Sequence, residues 1–171
     1  MNPRTFHPTK AARFLVNKQA VLDQFLAALT ADLATLTRAA NGAFAAATDP
    51  DSKAENKYDT RTLEASYIAR GQAKRVTELQ EAVQAFGALS GGELETGSAA
   101  ALGALVTLDG PDGVDHYLIG PCAGGTEIVH EGIAICIITP ASALGQKLVG
   151  KRVGDVIAIR PGAELRITSV K

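Results

Sequence analysis

The sequence predicts an α+β chain. An N-terminal antiparallel coiled-coil helical hairpin occupies residues 1–92, and a small, mostly antiparallel β domain with one short helix occupies 93–171. Three observations carry this prediction. Apolar residues recur at steps of three and four from about residue 9 to 89. A cluster of Pro, Asp and Ser interrupts them near the midpoint. From about residue 97 the apolar residues fall into short β-branched runs between glycine-rich turns.

In the first arm, Leu15, Leu22, Leu26, Leu29, Leu33, Leu36, Ala40, Ala43 and Ala47 form a heptad seam that is broken at Gln19. In the second, Tyr58, Thr62, Ala65, Ala69, Gln72, Val76, Leu79, Val83 and Phe86 do the same. Sustained heptads place one stripe of each helix against the other. Between the arms, Pro50 lacks a backbone N–H, and its Asp and Ser neighbours favour local hydrogen bonds over helix, so the tip falls near residues 48–56. The seam is graded, with Leu, Val and Phe near the open end and Ala near the tip. Small seam residues let helices approach closely, which makes the distal end slim. Leu63, Tyr67 and Ile68 lie off the seam, either packed on the flank of the first arm or exposed as a contact patch.

Ser90, Gly91 and Gly92 form a linker across which two modules can reorient. Beyond it, 104–108 reads as a strand, 109–113 as a turn and 116–119 as the returning strand. Residues 121–125 read as a loop and 132–138 as an apolar strand. Ser142 caps a short helix to Leu148, with Gly150 beyond its end, and 156–159 and 165–170 are the last strands.

The composition is that of an ordered protein, with 46% hydrophobic and 20% charged residues over 171 positions. Net charge is −1. Up to residue 95 there are eleven basic and eleven acidic residues, and beyond it six and seven. Neither part has the positive field that autonomous nucleic-acid binding requires, so a protein partner fits better. Cys122 and Cys136 stand outside any CxxC spacing and read as buried apolar residues. The N-terminus shows no apolar signal core, and no run reads as long enough to span a bilayer, so the expected location is cytoplasmic. His7, His116 and His130 lack ligand spacing, Gly124 and Gly125 form no phosphate loop, and Ser142 lacks the flanking glycines of a nucleophile elbow.

Specific motifs resemble those of the GreA/GreB family of transcription elongation factors. Residues 138–155, with Pro140, Leu144, Gly145, Leu148, Gly150, Lys151, Gly154 and Asp155, resemble the family's SP-x-(G/A)-x-ALLGK-x-x-GD signature. Residues 51–59 resemble its acidic tip, GDLSENAEY, and residues 75–79 its RI-x-x-LE stretch. The likeness covers most of the chain and is weakest over residues 1–40. It implies an FKBP-like second domain that docks on bacterial RNA polymerase through the 140–155 signature, and a hairpin that enters the polymerase's secondary channel. It further implies tip carboxylates that share a transient Mg²⁺ with the polymerase, which then cleaves its own backtracked transcript. The protein would not be an enzyme itself. Contact with nascent RNA would be indirect, through Arg70, Lys74 and Arg75, and DNA would be met only through the polymerase. No membrane partner is implied, and the oligomeric state stays open.

The tip departs from the family's Asp-x-x-Glu pair. Aligned on Tyr58, the first acid is Asp51 and the second position is Ala54. Aligned on Glu55 and Asn56, the second acid is Glu55 and the first position is Ser52. Asp51 and Glu55 are four apart and share a face on a helix, with Asp49 and Asp59 nearby. Acids at this point also cap a helix and complement its dipole. A channel-occupying modulator without cleavage activity is therefore the alternative. A prolyl isomerase is a third reading, for which Tyr117 is the second half's single aromatic residue. A coiled-coil adaptor is a fourth.

Overall fold

The computed structural model describes residues 16–48, 61–89, 91–92, 94–95, 97–160 and 163–171, with the side chains of 46, 47, 61, 62, 65, 160 and 163 left out. The expected order of parts is present: two long helices, then a sheet domain with one short helix. Helix α1 (Lys18–Thr48) has 31 residues, about 46 Å of rise, and α2 (Arg61–Gly87) has 27. The predicted start near residue 9 is corrected within the described range. Val16 and Asn17 are not helical, and the Asn17 side chain accepts from the Ala20 N–H as an N-cap.

The heptad reading holds at the described seam positions, while Leu15, Ala47, Tyr58, Thr62 and Ala65 lie outside the described side chains. Leu22, Leu26, Leu29, Leu33, Leu36, Ala40 and Ala43 of α1 are buried or half-buried, as are Ala69, Gln72, Val76, Leu79, Val83 and Phe86 of α2. At the open end the seam continues into the sheet domain. Val21, Leu22, Phe25, Leu29 and Phe86 share one core with Leu105, Leu118, Ile128, Ile135 and Ile137. The Phe25 and Phe86 rings lie 6.5 Å apart, tilted by 39°. Phe86 also meets the backbone at Gly120, where a Cβ would stand 2.7 Å from its ring. The glycine linker thus spans two parts that are packed together rather than free to reorient. Lys18 Nζ donates to the Gly92 carbonyl at 3.2 Å, and Gln24 grips β3 (Glu127–His130), donating to Val129 O at 2.8 Å and facing His130 Nδ1 at 2.9 Å.

The six-stranded sheet has the order β3-β4-β2-β1-β6-β5. Besides β3 its strands are β1 (Leu105–Gly110), β2 (Gly113–Ile119), β4 (Ile133–Ile138), β5 (Val156–Arg160) and β6 (Ala163–Val170). Its pairings are antiparallel except for the parallel pair β2 and β4. The sequence reading passed over β3. Its turn into β4 uses Glu131 and Gly132, both at positive φ (51° and 81°), the conformation of a two-residue hairpin turn without the usual Asn-Gly signal. One sheet face carries the hairpin base. The other, with Val106, Leu108, Ile119, Ile138, Leu165 and Ile167, is covered by α3 (Ala143–Leu148) and the chain near Ala100.

On length and composition α1 is long and apolar enough to cross a membrane over Lys18–Ala45, which the sequence reading did not anticipate. Its apolar stripe is the heptad that faces α2 and the sheet.

Candidate functional site

The 138–155 stretch separates into residues that build the fold and residues that face outward. Ser142 caps α3 as expected, accepting from Gly145 N at 3.0 Å while its hydroxyl donates to Thr139 O at 2.7 Å. This folds the first turn of α3 back on Thr139, so a Cβ at Gly145 would collide with the Thr139 carbonyl oxygen. Leu148 is fully buried, and Leu144 packs against the same core. Gly150 (φ 84°) and Gly154 (φ 97°) occupy the left-handed region, where glycine is unstrained. Asp155 accepts from the Arg152 N–H at 2.9 Å and closes the turn between them.

Gly145 and Leu148 are buried, so within this stretch they shape the fold that presents the outward-facing residues. Pro140 and Leu144 are half-buried, while Gly150, Lys151, Gly154 and Asp155 are exposed. Val149 and Val153 are exposed beside them, and the sequence reading missed both. The available signal was a valine on either side of the Gly-Lys-Arg turn. Arg152 reaches back to the Gly97 carbonyl, which fixes the turn against the preceding segment.

The second candidate surface is the distal hairpin. Asp49, Asp51 and Glu55 lie outside the described residues. Among the described residues no group of three or more His, Cys, Asp or Glu could hold a metal ion. Arg70, Lys74 and Arg75 are all exposed on α2. Arg70 and Lys74 share a face one turn apart, and Arg75 points about 100° round from Lys74. Lys74 meets Glu78 at 3.6 Å, an exposed pair of the kind worth only a few tenths of a kcal/mol.

Leu63, Tyr67 and Ile68 do not pack on α1. They are 55%, 65% and 57% exposed, and Phe44, which the sequence reading did not single out, is 64% exposed. Along the hairpin, exposed large apolar side chains occur only in this distal part among the described residues. Leu63, Tyr67 and Ile68 lie off the seam that meets α1, and Phe44 borders a groove of 410 Å³ between the helices.

Among the described residues, His116, His130, Cys122 and Cys136 belong to no group that could hold a metal ion. The His116 ring lies 3.1 Å from the Thr107 hydroxyl, and burial lowers its pKa against the opposing charge of Asp115. Burial raises the thiol pKa of Cys122, with Glu81 adding to it, and that of Cys136, with Glu127 adding. Both are half-buried free thiols. Tyr117 packs against the second core, and its pKa is likewise raised by burial.

No family model matches this chain, and no curated protein matches it. Several solved structures resemble it. GreA factor homolog 1 (Gfh1) of Thermus thermophilus is 20% identical, over 85% of this chain and 94% of that one, with a TM-score of 0.35. Gfh1 of Thermus aquaticus is 20% identical, over 83% and 90%, with a TM-score of 0.35. A structure described as the transcription factor Gfh1 is 19% identical, over 85% and 92%, with a TM-score of 0.34. With TM-scores this low, the chain's own element order, not the superposition, defines the fold.

Proposed function

We propose that this chain binds bacterial RNA polymerase and inserts its hairpin into the secondary channel as a transcription elongation factor. The observation that carries the reading is the distal hairpin. Its seam narrows to alanine, and Phe44, Leu63, Tyr67 and Ile68 are exposed in several directions around it. A single docking face would gather such residues on one side, whereas apolar contacts around a slim rod suit an enclosing wall. The motif resemblance supplies the identity of the wall. The exposed turn at 149–155 is the docking element of the second domain, with Val149, Lys151 and Val153 as its accessible side chains.

Asp51 and Glu55 would be the carboxylate ligands of a Mg²⁺ held jointly with the polymerase, with Asp49 in reserve, and such an ion would supply charge stabilisation for in-line displacement at a phosphate. The polymerase performs the cleavage, and this chain positions the carboxylates by the length and stiffness of its helices. The loss of the Asp-x-x-Glu spacing favours a second reading, in which the hairpin occupies the channel and modulates the polymerase without promoting cleavage.

The test uses purified bacterial polymerase stalled in a backtracked complex with Mg²⁺. Transcript shortening that is lost in Asp51→Asn and Glu55→Gln identifies a cleavage factor. Competition with a known cleavage factor, without shortening, identifies a modulator. If neither effect is seen, the polymerase reading fails.

A further inference from the structure

We infer that the outer face of α2 is a self-association surface, on which the α2 helices of two copies of this chain pair antiparallel about a twofold axis at the level of Ala69. The inference goes beyond the polymerase reading and does not rest on it. Glu64, Tyr67, Gly71, Lys74 and Glu78 are all exposed and recur at alternating steps of three and four. They form a second heptad stripe, about half a turn round the helix from the seam residues Ala69 and Val76. Leu63 adjoins the stripe, so two large apolar side chains, each more than half exposed, lie together on it.

The stripe is complementary to its own reverse. Counted from Ala69, Glu64 and Lys74 lie five residues away in opposite directions, and Tyr67 and Gly71 lie two. In the antiparallel pair each Glu64 therefore stands opposite the Lys74 of the other copy, and each Tyr67 ring opposite the other copy's Gly71. A parallel pair would instead set Glu64 against Glu64 and Lys74 against Lys74, which like-charge repulsion disfavours. Lys74 is within reach of a second carboxylate, because its contact with Glu78 is long, at 3.6 Å, and exposed. Gly71 is an independent observation. Glycine in the middle of a helix weakens it relative to alanine, and a Cβ at Gly71 would meet nothing within 4 Å, so no packing inside the chain calls for it. A neighbouring ring laid against the helix backbone does call for it. Arg70 works the other way: the two copies of it flank the axis and repel each other. With that repulsion, and with only one helix face on each side, the pair is a weak and transient one. On the polymerase reading, a paired hairpin is twice as wide and has Leu63 and Tyr67 withdrawn, so pairing and channel entry exclude each other.

The experiment is sedimentation equilibrium on the full chain up to millimolar concentration. A monomer–dimer equilibrium is expected in the upper part of this range. Glu64→Lys and Lys74→Glu should each weaken dimerisation about tenfold, because every altered contact occurs twice in the pair. The double variant restores opposite charges across the axis and should recover the dimer. Gly71→Ala should raise the thermal midpoint of the monomer and yet weaken the dimer, two changes that a glycine with no role in pairing would not combine. Arg70→Gln should tighten the dimer. All four positions are exposed, so the variants should keep the fold. A chain that stays monomeric throughout would overturn the inference. So would a dimer indifferent to these substitutions, which would place the contact on another face, or a double variant that pairs no better than the single ones.

Discussion

Gln72 sits at a seam position of α2, and its side-chain Oε1 is buried with no hydrogen-bond partner. A buried acceptor without a donor loses its hydration and regains nothing, a cost of about 1–3 kcal/mol. Gln72→Leu is therefore expected to stabilise the protein by about 1 kcal/mol, read as a higher urea midpoint at unchanged slope. A lower midpoint would mean that the amide is paired after all. His116 makes the opposite kind of prediction. Burial lowers its folded-state pKa below the unfolded value of about 6.5, so between the two values the unfolded chain binds more protons. The neutral ring costs nothing above that window. As pH falls through about 6.5 towards the folded pKa, stability declines. Thermal melts from pH 7.5 to 5 should show this decline in the parent chain and a shallower one in His116→Gln. At this scale the sequence was a partial guide. Ser142 could be read as a cap because Ser before a short amphipathic run is a local signal. The burial of Leu148 and the collision awaiting a side chain at Gly145 could not, because both depend on where Thr139 and the sheet lie.

The two long helices were legible because a heptad is a local, repeating pattern that burial respects at the described seam positions. The sheet was less so. The β3 strand is short, its turn residues are Glu131 and Gly132, and its neighbour β4 pairs in parallel with β2, a relation that no local pattern encodes. Edge strands raise a further problem, since their unpaired backbone groups invite another strand. Here each edge has a carbonyl taken by a side chain from a helix: Val129 O by Gln24 of α1, and Ala158 O by Lys147 of α3 at 2.6 Å. A register irregularity between Ala158 and Arg160 disrupts β5 further. The β5 edge is the more exposed to self-pairing, because Val156 and Ile159 are open to solvent on it. Lys147→Ala removes both the charge and the carbonyl partner. It should change the melting temperature little and produce concentration-dependent association in sedimentation velocity. A variant that stays monomeric at every concentration would show that the bulge alone protects the edge.

At the scale of the whole molecule, the sequence suggested two modules on a glycine hinge, and the structure replaces the hinge with a shared core. The composition of Ser90 to Gly92 says only that the link bends easily. It does not say that Val21, Phe25, Leu29 and Phe86 project beyond the hairpin onto Leu118, Ile128, Ile135 and Ile137. For a probe about 46 Å long this decides the mechanics. A hairpin swinging on a flexible link would deliver its tip over a wide arc. A hairpin whose base is embedded in the sheet holds its far end along one line set by the sheet domain. Phe25 is the residue to remove, being fully buried at the point where helix, helix and sheet meet. Phe25→Ala should cost about 3–5 kcal/mol, as large aromatic truncations in cores do. Because the core is shared, hydrogen exchange should accelerate both in the proximal turns of α1 and α2 and in β2 and β4 across the interface. Faster exchange confined to the helices would mean that the sheet domain holds its fold without them. If both sides respond together, the 149–155 turn and the hairpin helices are parts of one rigid body. On the proposed polymerase reading, a substitution at Phe25 would then lower the polymerase response without touching either proposed contact surface.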